Sequence, residues 1–175
     1  MTFKIYITGF LSLLLCTITF AQSDKETNRT REKYIGLQLS SLPKGCTSDG
    51  GLNLNRLYYD WAHSDGFYIT QVRNGSIRMV WFNRILPRDS TQPLFEVLDV
   101  IVLPRFGKKQ KIIMGTCLNG NTDTFDTDIF ALVEETGSYD NTIIKMVWKA
   151  NRLERKIEVI AADSLRCKDE KFFHD

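Results

Sequence analysis

Two apolar runs, Phe67–Val72 and Ile77–Phe82, flank the tetrapeptide Arg73-Asn74-Gly75-Ser76. An Asn-Gly pair between such runs dictates a hairpin. The tight turn that suits twisted strands needs positive φ at both central residues, and Asn and Gly accept it best. Two further hairpins are expected: Phe95–Phe106 with Lys111–Cys117 around Gly107-Lys108-Lys109-Gln110, and Thr142–Ala150 with Lys156–Ala161 around Asn151-Arg152-Leu153-Glu154-Arg155. Tyr34–Leu39 reads as a short extra strand. The run Leu57-Tyr58-Tyr59-Asp60-Trp61 fits two periods, since Leu54, Leu57, Tyr58 and Trp61 also lie on a helical stripe. The turn residues His63-Ser64-Asp65-Gly66 ahead of Phe67 favour a strand there. Successive hairpins without alternating helices predict a mainly β chain, its antiparallel hairpins curled into a small sandwich or barrel.

An internal echo runs through this body. Ile77-Arg78-Met79-Val80-Trp81 matches Ile144-Lys145-Met146-Val147-Trp148 residue type for residue type. Each copy follows an aromatic strand and a turn. At period two, Ile, Met and Trp share one face and the basic residue points to the other. The echo is either a degenerate duplication or convergence on a good strand sequence. On both readings Met79, Trp81, Met146 and Trp148 belong in the core rather than on a ligand platform.

Ahead of the body, Lys4 precedes an uncharged stretch, residues 5–20, which ends at Ala21-Gln22-Ser23. A basic start, an apolar middle and a small residue at the end compose a secretory signal. The apolar stretch falls short of the roughly 20 residues that span hydrocarbon, and Gly9 weakens it as a helix, which argues against an uncleaved anchor. Lipidation at Cys16 is disfavoured because Leu15, just before it, is not small. The expected organisation is a signal peptide over residues 1–21, a mobile leader over 22–33 without one apolar residue, and a single β-rich domain over 34–175. The site of action is then periplasmic or extracellular, with no membrane span left after cleavage.

The net charge of +2 falls by one when Lys4 leaves. A near-neutral chain with interspersed signs lacks the electrostatic footprint of a nucleic-acid or anionic-lipid binder. The one basic cluster, Lys108-Lys109-Gln110-Lys111, reads as a solvated hairpin tip.

Chemistry is sparse. The chain has 2 histidines. His174 is penultimate, and His63 stands between Asp60 and Asp65, where an oriented imidazole would serve a hydrolase. No Gly-x-Ser-x-Gly elbow accompanies it. No Cys-x-x-Cys or His-x-x-x-His spacing offers a transition-metal site, and no cofactor motif is present. The acidic loop at 119–128 places oxygens at Asn119, Asn121, Asp123, Asp126 and Asp128, which could wrap a calcium ion. An EF-hand register from Asn119 fails, because Thr124 and Phe130 stand where Gly and Glu are needed, and the same residues suit a plain surface loop. Glu134 and Glu135 are adjacent and would point to opposite faces of a strand, so they are not a glycosidase pair.

Thr116-Cys117-Leu118-Asn119-Gly120, Val147-Trp148-Lys149-Ala150-Asn151-Arg152 and Leu165-Arg166-Cys167 give the C-terminal half a resemblance to a group of small exported bacterial proteins of uncharacterised function. The resemblance implies no activity.

Three cysteines survive cleavage at Ala21: Cys46, Cys117 and Cys167. Cys117 ends an expected strand and Cys167 follows the last one, so a bridge between them would pin the C-terminus, with Cys46 left as the odd thiol. Cys46–Cys117 is the alternative. Two functional classes stand open. One is an exported, disulfide-stabilised, non-catalytic binding or inhibitor-like module, taking an envelope or extracellular protein or a small ligand. Its candidate surface is Tyr58, Tyr59, Trp61 and His63. The other is an exported hydrolase using Asp60 and His63 or the acidic loop.

Overall fold

The computed structural model of the chain describes residues 25–54, 66–87, 93–119, 125–136, 142–163 and 165–168. The chain divides into two compact units, Met1–Tyr34 and Ile35–Asp175.

In the first unit, residues 25–32 form a helix inside the segment expected as a leader. It has no apolar stripe to announce it. Its support is local: Glu26, Arg29 and Glu32 alternate in sign at three-residue spacing, a pattern worth ~0.2–0.5 kcal/mol per pair. The last turn closes with Lys33 N donating to Arg29 O at 3.2 Å and Tyr34 N to Arg31 O at 3.0 Å.

The second unit is mainly β. Its strands are β1 (Gln38–Leu39), β2 (Cys46–Asn53), β3 (Phe67–Asn74), β4 (Ile77–Leu86), β5 (Leu94–Val102), β6 (Gln110–Met114), β7 (Cys117–Asn119), β8 (Phe125–Asp126), β9 (Ile129–Glu134), β10 (Ile143–Asn151), β11 (Lys156–Val159) and β12 (Leu165–Cys167). They make a five-stranded sheet in the order β1-β5-β4-β3-β2, a four-stranded sheet β11-β10-β9-β6, and a small sheet β12-β7-β8. All pairings are antiparallel. Neither large sheet closes on itself, so the architecture is the sandwich and not the barrel.

The hairpin forms where the sequence places it, but its central residues are Gly75 and Ser76, and Asn74 ends β3 without taking positive φ. Asn74 pairs with Ile77, and Gly75 takes φ +58° in the turn. The β10–β11 hairpin also forms, Asn151 pairing with Lys156. The hairpin expected between Phe95–Phe106 and Lys111–Cys117 does not exist. β5 pairs with β4 and β1, whereas β6 pairs with β9 in the other sheet. Pro104 ends β5: the ladder to β4 runs on to Leu103 N, which donates to Arg78 O at 2.8 Å, and Pro104 has no N–H to extend it. The basic Lys108-Lys109 therefore sits in a crossover between sheets. The expected strand from Tyr34 shrinks to β1, a two-residue strand.

The main core lies between the two large sheets. Ile69, Val80 and Phe82 from the first sheet meet Ile112, Phe130, Leu132, Trp148 and Ala150 from the second, all buried. A second cluster on the far face of the four-stranded sheet gathers Ile113, Ala131, Val133 and Val147 against Cys117 and Cys167. Trp148, 4% exposed, lies in the core as expected; Trp81, 2% exposed, is buried as well but outside the core between the sheets, on the face that the sequence reading did not assign to it. The two copies of the echo are thus used oppositely. Trp148 pairs with Phe130 and faces the main core, while Trp81 pairs with Thr70 on the outer face of its sheet. Met146, also expected in the core, is 38% exposed. The ladder slips between Ile144 and Met146, and such a bulge breaks the alternation on which the expectation rested.

Two details bear on stability. Asp99 is 5% exposed, and its carboxylate accepts from Val100 N at 2.8 Å and from Ile157 N of β11 at 2.7 Å, tying the two sheets. Asp99→Ala strands two backbone donors and is expected to cost about 2 kcal/mol. A loss under ~0.5 kcal/mol in urea unfolding would show that water or a neighbour takes over. Arg155, in the β10–β11 turn, has φ +54°, which strains an L-residue by roughly 1–2 kcal/mol. Arg155→Gly removes that strain, and part of the gain is offset by the freer unfolded chain. Thermal unfolding should show a net gain approaching ~1 kcal/mol, and any decrease would mean that the Arg155 side chain matters more than its backbone.

At the open end of the first sheet, β2 pairs with β3 but slips between Ser48 and Gly50. Gly50 N donates to Ser48 Oγ at 3.3 Å, and Arg73 pairs with Asp49 at 2.6 Å.

Candidate functional site

The alternation of β3 and β4 sends one set of side chains inward and the other to the outer face of the five-stranded sheet. Tyr68, Thr70, Trp81 and Asn83 belong to the outer set, because Tyr68 pairs with Asn83 and Thr70 with Trp81. They floor a pocket of about 370 Å³. β1 bounds it on one side. Gly36 N donates to Val97 O at 2.8 Å and Val97 N to Leu37 O at 2.9 Å, and Leu39 pairs with Phe95. This docking carries Leu39, Ser40, Ser41 and Leu42 along the mouth, while Pro93 and Ser48 complete the wall.

The floor is held rigidly. Asn83 is 4% exposed, and its amide nitrogen donates to Tyr68 O at 3.3 Å, Thr70 Oγ1 at 3.2 Å and Trp81 O at 3.2 Å. The Tyr68 ring leans on Phe95 with centroids 5.7 Å apart. It lies over Gly51, where a Cβ would collide with the phenol, so the strand glycine makes room for the ring. Burial pushes the Tyr68 hydroxyl above its ordinary pKa, and it is neutral at physiological pH. Tyr68 is the one ionisable side chain among the described residues of the lining. The described lining therefore offers hydroxyls and an amide among aliphatic and aromatic side chains, the make-up of a small-molecule site that fixes its ligand with few polar groups.

The aromatic surface expected at Tyr58, Tyr59, Trp61 and His63, and Asp60 beside it, falls outside the described residues. So do Asn121 and Asp123 of the acidic loop. Asn119 pairs with Leu165 through its backbone. Asp126 and Asp128 are drawn into ion pairs: Asp126 with Lys149 at 3.0 Å, and Asp128 with Arg152, which also donates to Leu54 O at 3.0 Å. Asp126 further accepts from Asp128 N at 3.0 Å. Among the described residues no group of three or more His, Cys, Asp or Glu is arranged to hold a metal ion. Glu134 and Glu135 pair with different strands, through Lys145 at 2.8 Å and Lys111 at 3.0 Å.

The expected disulfide is present. Cys117 and Cys167 face each other across β7 and β12 with Cα atoms 4.0 Å apart and are joined through sulfur. Cys46, opening β2, lies outside that bridge.

Sequence reasoning missed the pocket. One signal for it was legible: Asn83 ends the apolar run Met79–Phe82 and, with Arg84, separates it from Ile85-Leu86, and a polar residue in a buried strand marks either a bulge or a site. The contribution of Leu39 to Leu42 was not legible, because β1 joins β5 across more than fifty intervening residues. Compared with known protein families, with characterised proteins and with solved structures, the chain matches none.

Proposed function

We propose that this chain is an exported, non-catalytic binding module, stabilised by its disulfide, that takes a ligand or partner in the envelope or outside the cell. The signal-like residues 1–21, the resemblance of the C-terminal half to small exported bacterial proteins and a buried disulfide suited to an oxidising compartment support export. No helix among the described residues is long and apolar enough to cross a membrane. The observation that carries the binding reading is the lining of the outer-face pocket. Ser40, Ser41, Ser48 and Thr70 bring hydroxyls to it, and among the described residues of the wall no imidazole or carboxylate stands with them; a serine nucleophile without a base is inert.

The test pairs retention with turnover. The full chain, incubated with a small-molecule extract of bacterial envelope and examined by native mass spectrometry, should retain an unaltered ligand. The same preparation should not hydrolyse simple aryl esters. Ester turnover abolished by His63→Ala would overturn the reading in favour of the hydrolase.

A further inference from the structure

Asn83 is 4% exposed and lines the outer-face pocket. Its amide nitrogen is committed to Tyr68 O, Thr70 Oγ1 and Trp81 O. Two of those acceptors are backbone carbonyls, so the amide cannot turn over without setting oxygen against oxygen. Oδ1 therefore points away from them, and no donor among the described residues reaches it. The oxygen is not sealed in the interior; the pocket is where it opens. Thr70 stands beside it. Its Oγ1 accepts from the Asn83 amide, which leaves the hydroxyl hydrogen to be given elsewhere, and no acceptor among the described residues takes it.

We infer that this pocket binds a flat cyclic amide, whose N–H donates to Asn83 Oδ1 and whose neighbouring C=O accepts from the Thr70 hydroxyl. The inference rests on the binding-module reading. A buried acceptor without a donor is costly, and a ligand N–H removes that cost. A ring amide carries its donor and acceptor on one edge, in the order complementary to Oδ1 and the Thr70 hydroxyl. The same ring suits a wall that includes Tyr68, Trp81 and Phe95, since aromatic side chains favour flat partners. The placement of Asn83 is also specific. The β4–β5 ladder slips between Phe82 and Asn83, and such irregularities re-aim side chains beside sites.

Titration of the full chain near neutral pH with 2-quinolone and with coumarin tests this. The two probes share their shape and carbonyl, but the lactam N–H of the first is a ring oxygen in the second. 2-Quinolone should bind at least about tenfold tighter, a difference of ~1.4 kcal/mol. Nuclear magnetic resonance locates the binding: the indole signal lost in Trp81→Phe should move on titration, and the one lost in Trp148→Phe should stay. Thr70→Val should weaken both probes severalfold and keep the gap between them, whereas Asn83→Ala should close the gap, with circular dichroism confirming that each variant is folded. The comparison in the unmodified chain needs no variant. Coumarin binding as tightly as 2-quinolone there would overturn the inference, as would a Trp81 signal that neither probe moves. So would a gap that survives in folded Asn83→Ala, or 2-quinolone binding that Thr70→Val leaves untouched. The envelope-extract and esterase measurements judge the binding-module reading separately: an unaltered ligand without an amide, bound in this pocket, would keep that reading and remove this one.

Discussion

Trp148→Ala is expected to destabilise the protein by about 3–5 kcal/mol, the range for truncating a large aromatic in a packed interior. The ring is stacked on Phe130 with centroids 5.5 Å apart and planes 16° from parallel. It stands in the cluster that joins the two large sheets, beside residues as buried as Phe82 and Ala150. Removing it leaves a void between two hydrogen-bonded sheets, which cannot collapse without breaking their ladders. Trp81→Ala removes as much apolar surface, but on the outer face, where the void would merge with the pocket and admit water. Its cost should therefore be the smaller of the two. Denaturant unfolding measures both, and a loss below about 1 kcal/mol for Trp148→Ala would be incompatible with its place between the sheets.

Breaking the disulfide should have an effect of similar size. The bridge joins cysteines separated by 50 positions, and for a loop of that length the chain-entropy estimate is about 4 kcal/mol. In a domain of this size the double variant Cys117→Ser/Cys167→Ser should lower the melting temperature by roughly 8–16 °C. Other bonds hold the same strand. Thr116 Oγ1 donates to Lys168 O at 2.8 Å, Lys168 N donates back to Thr116 O at 3.0 Å, and Thr142 Oγ1 donates to Cys167 O. An unchanged melting temperature after reduction would mean that these bonds alone dock β12. The calorimetric comparison of oxidised and reduced protein decides between the two.

What the sequence revealed was local. Asn74-Gly75 marked a hairpin because Gly75 itself carries the positive φ that the turn needs. The β10–β11 pair announced itself in the same way, by two apolar runs and a short polar gap. Pairings set by distant parts of the chain were illegible. Nothing at Lys111–Cys117 says that β6 will seek β9 rather than β5, although Pro104 hints that the ladder cannot continue. The alternation rule placed Trp81 and Trp148 in the interior but could not say that they would face different layers. It misplaced Met146, because a one-residue slip in the ladder leaves no mark in a run of apolar residues. The helix at residues 25–32 was missed because charge spacing, not an apolar stripe, supports it. The disulfide was legible because the cleavage expected at Ala21 would leave only three thiols to choose among. The pocket was nearly silent: its walls come from segments far apart in sequence, and only the stray amide of Asn83 betrays it.

The open end of the five-stranded sheet bears on how copies of this molecule behave when crowded. A bare strand is a template for self-association, because its free backbone groups can recruit another chain. β2 is a poor template. Its slip between Ser48 and Gly50 turns the backbone out of line partway along, Ser48 occupies the Gly50 amide, and Asp49 adds a charge that an incoming strand would have to bury. At the other end β1 offers only two residues. Both borders of this sheet thus discourage edge-to-edge pairing with a second copy.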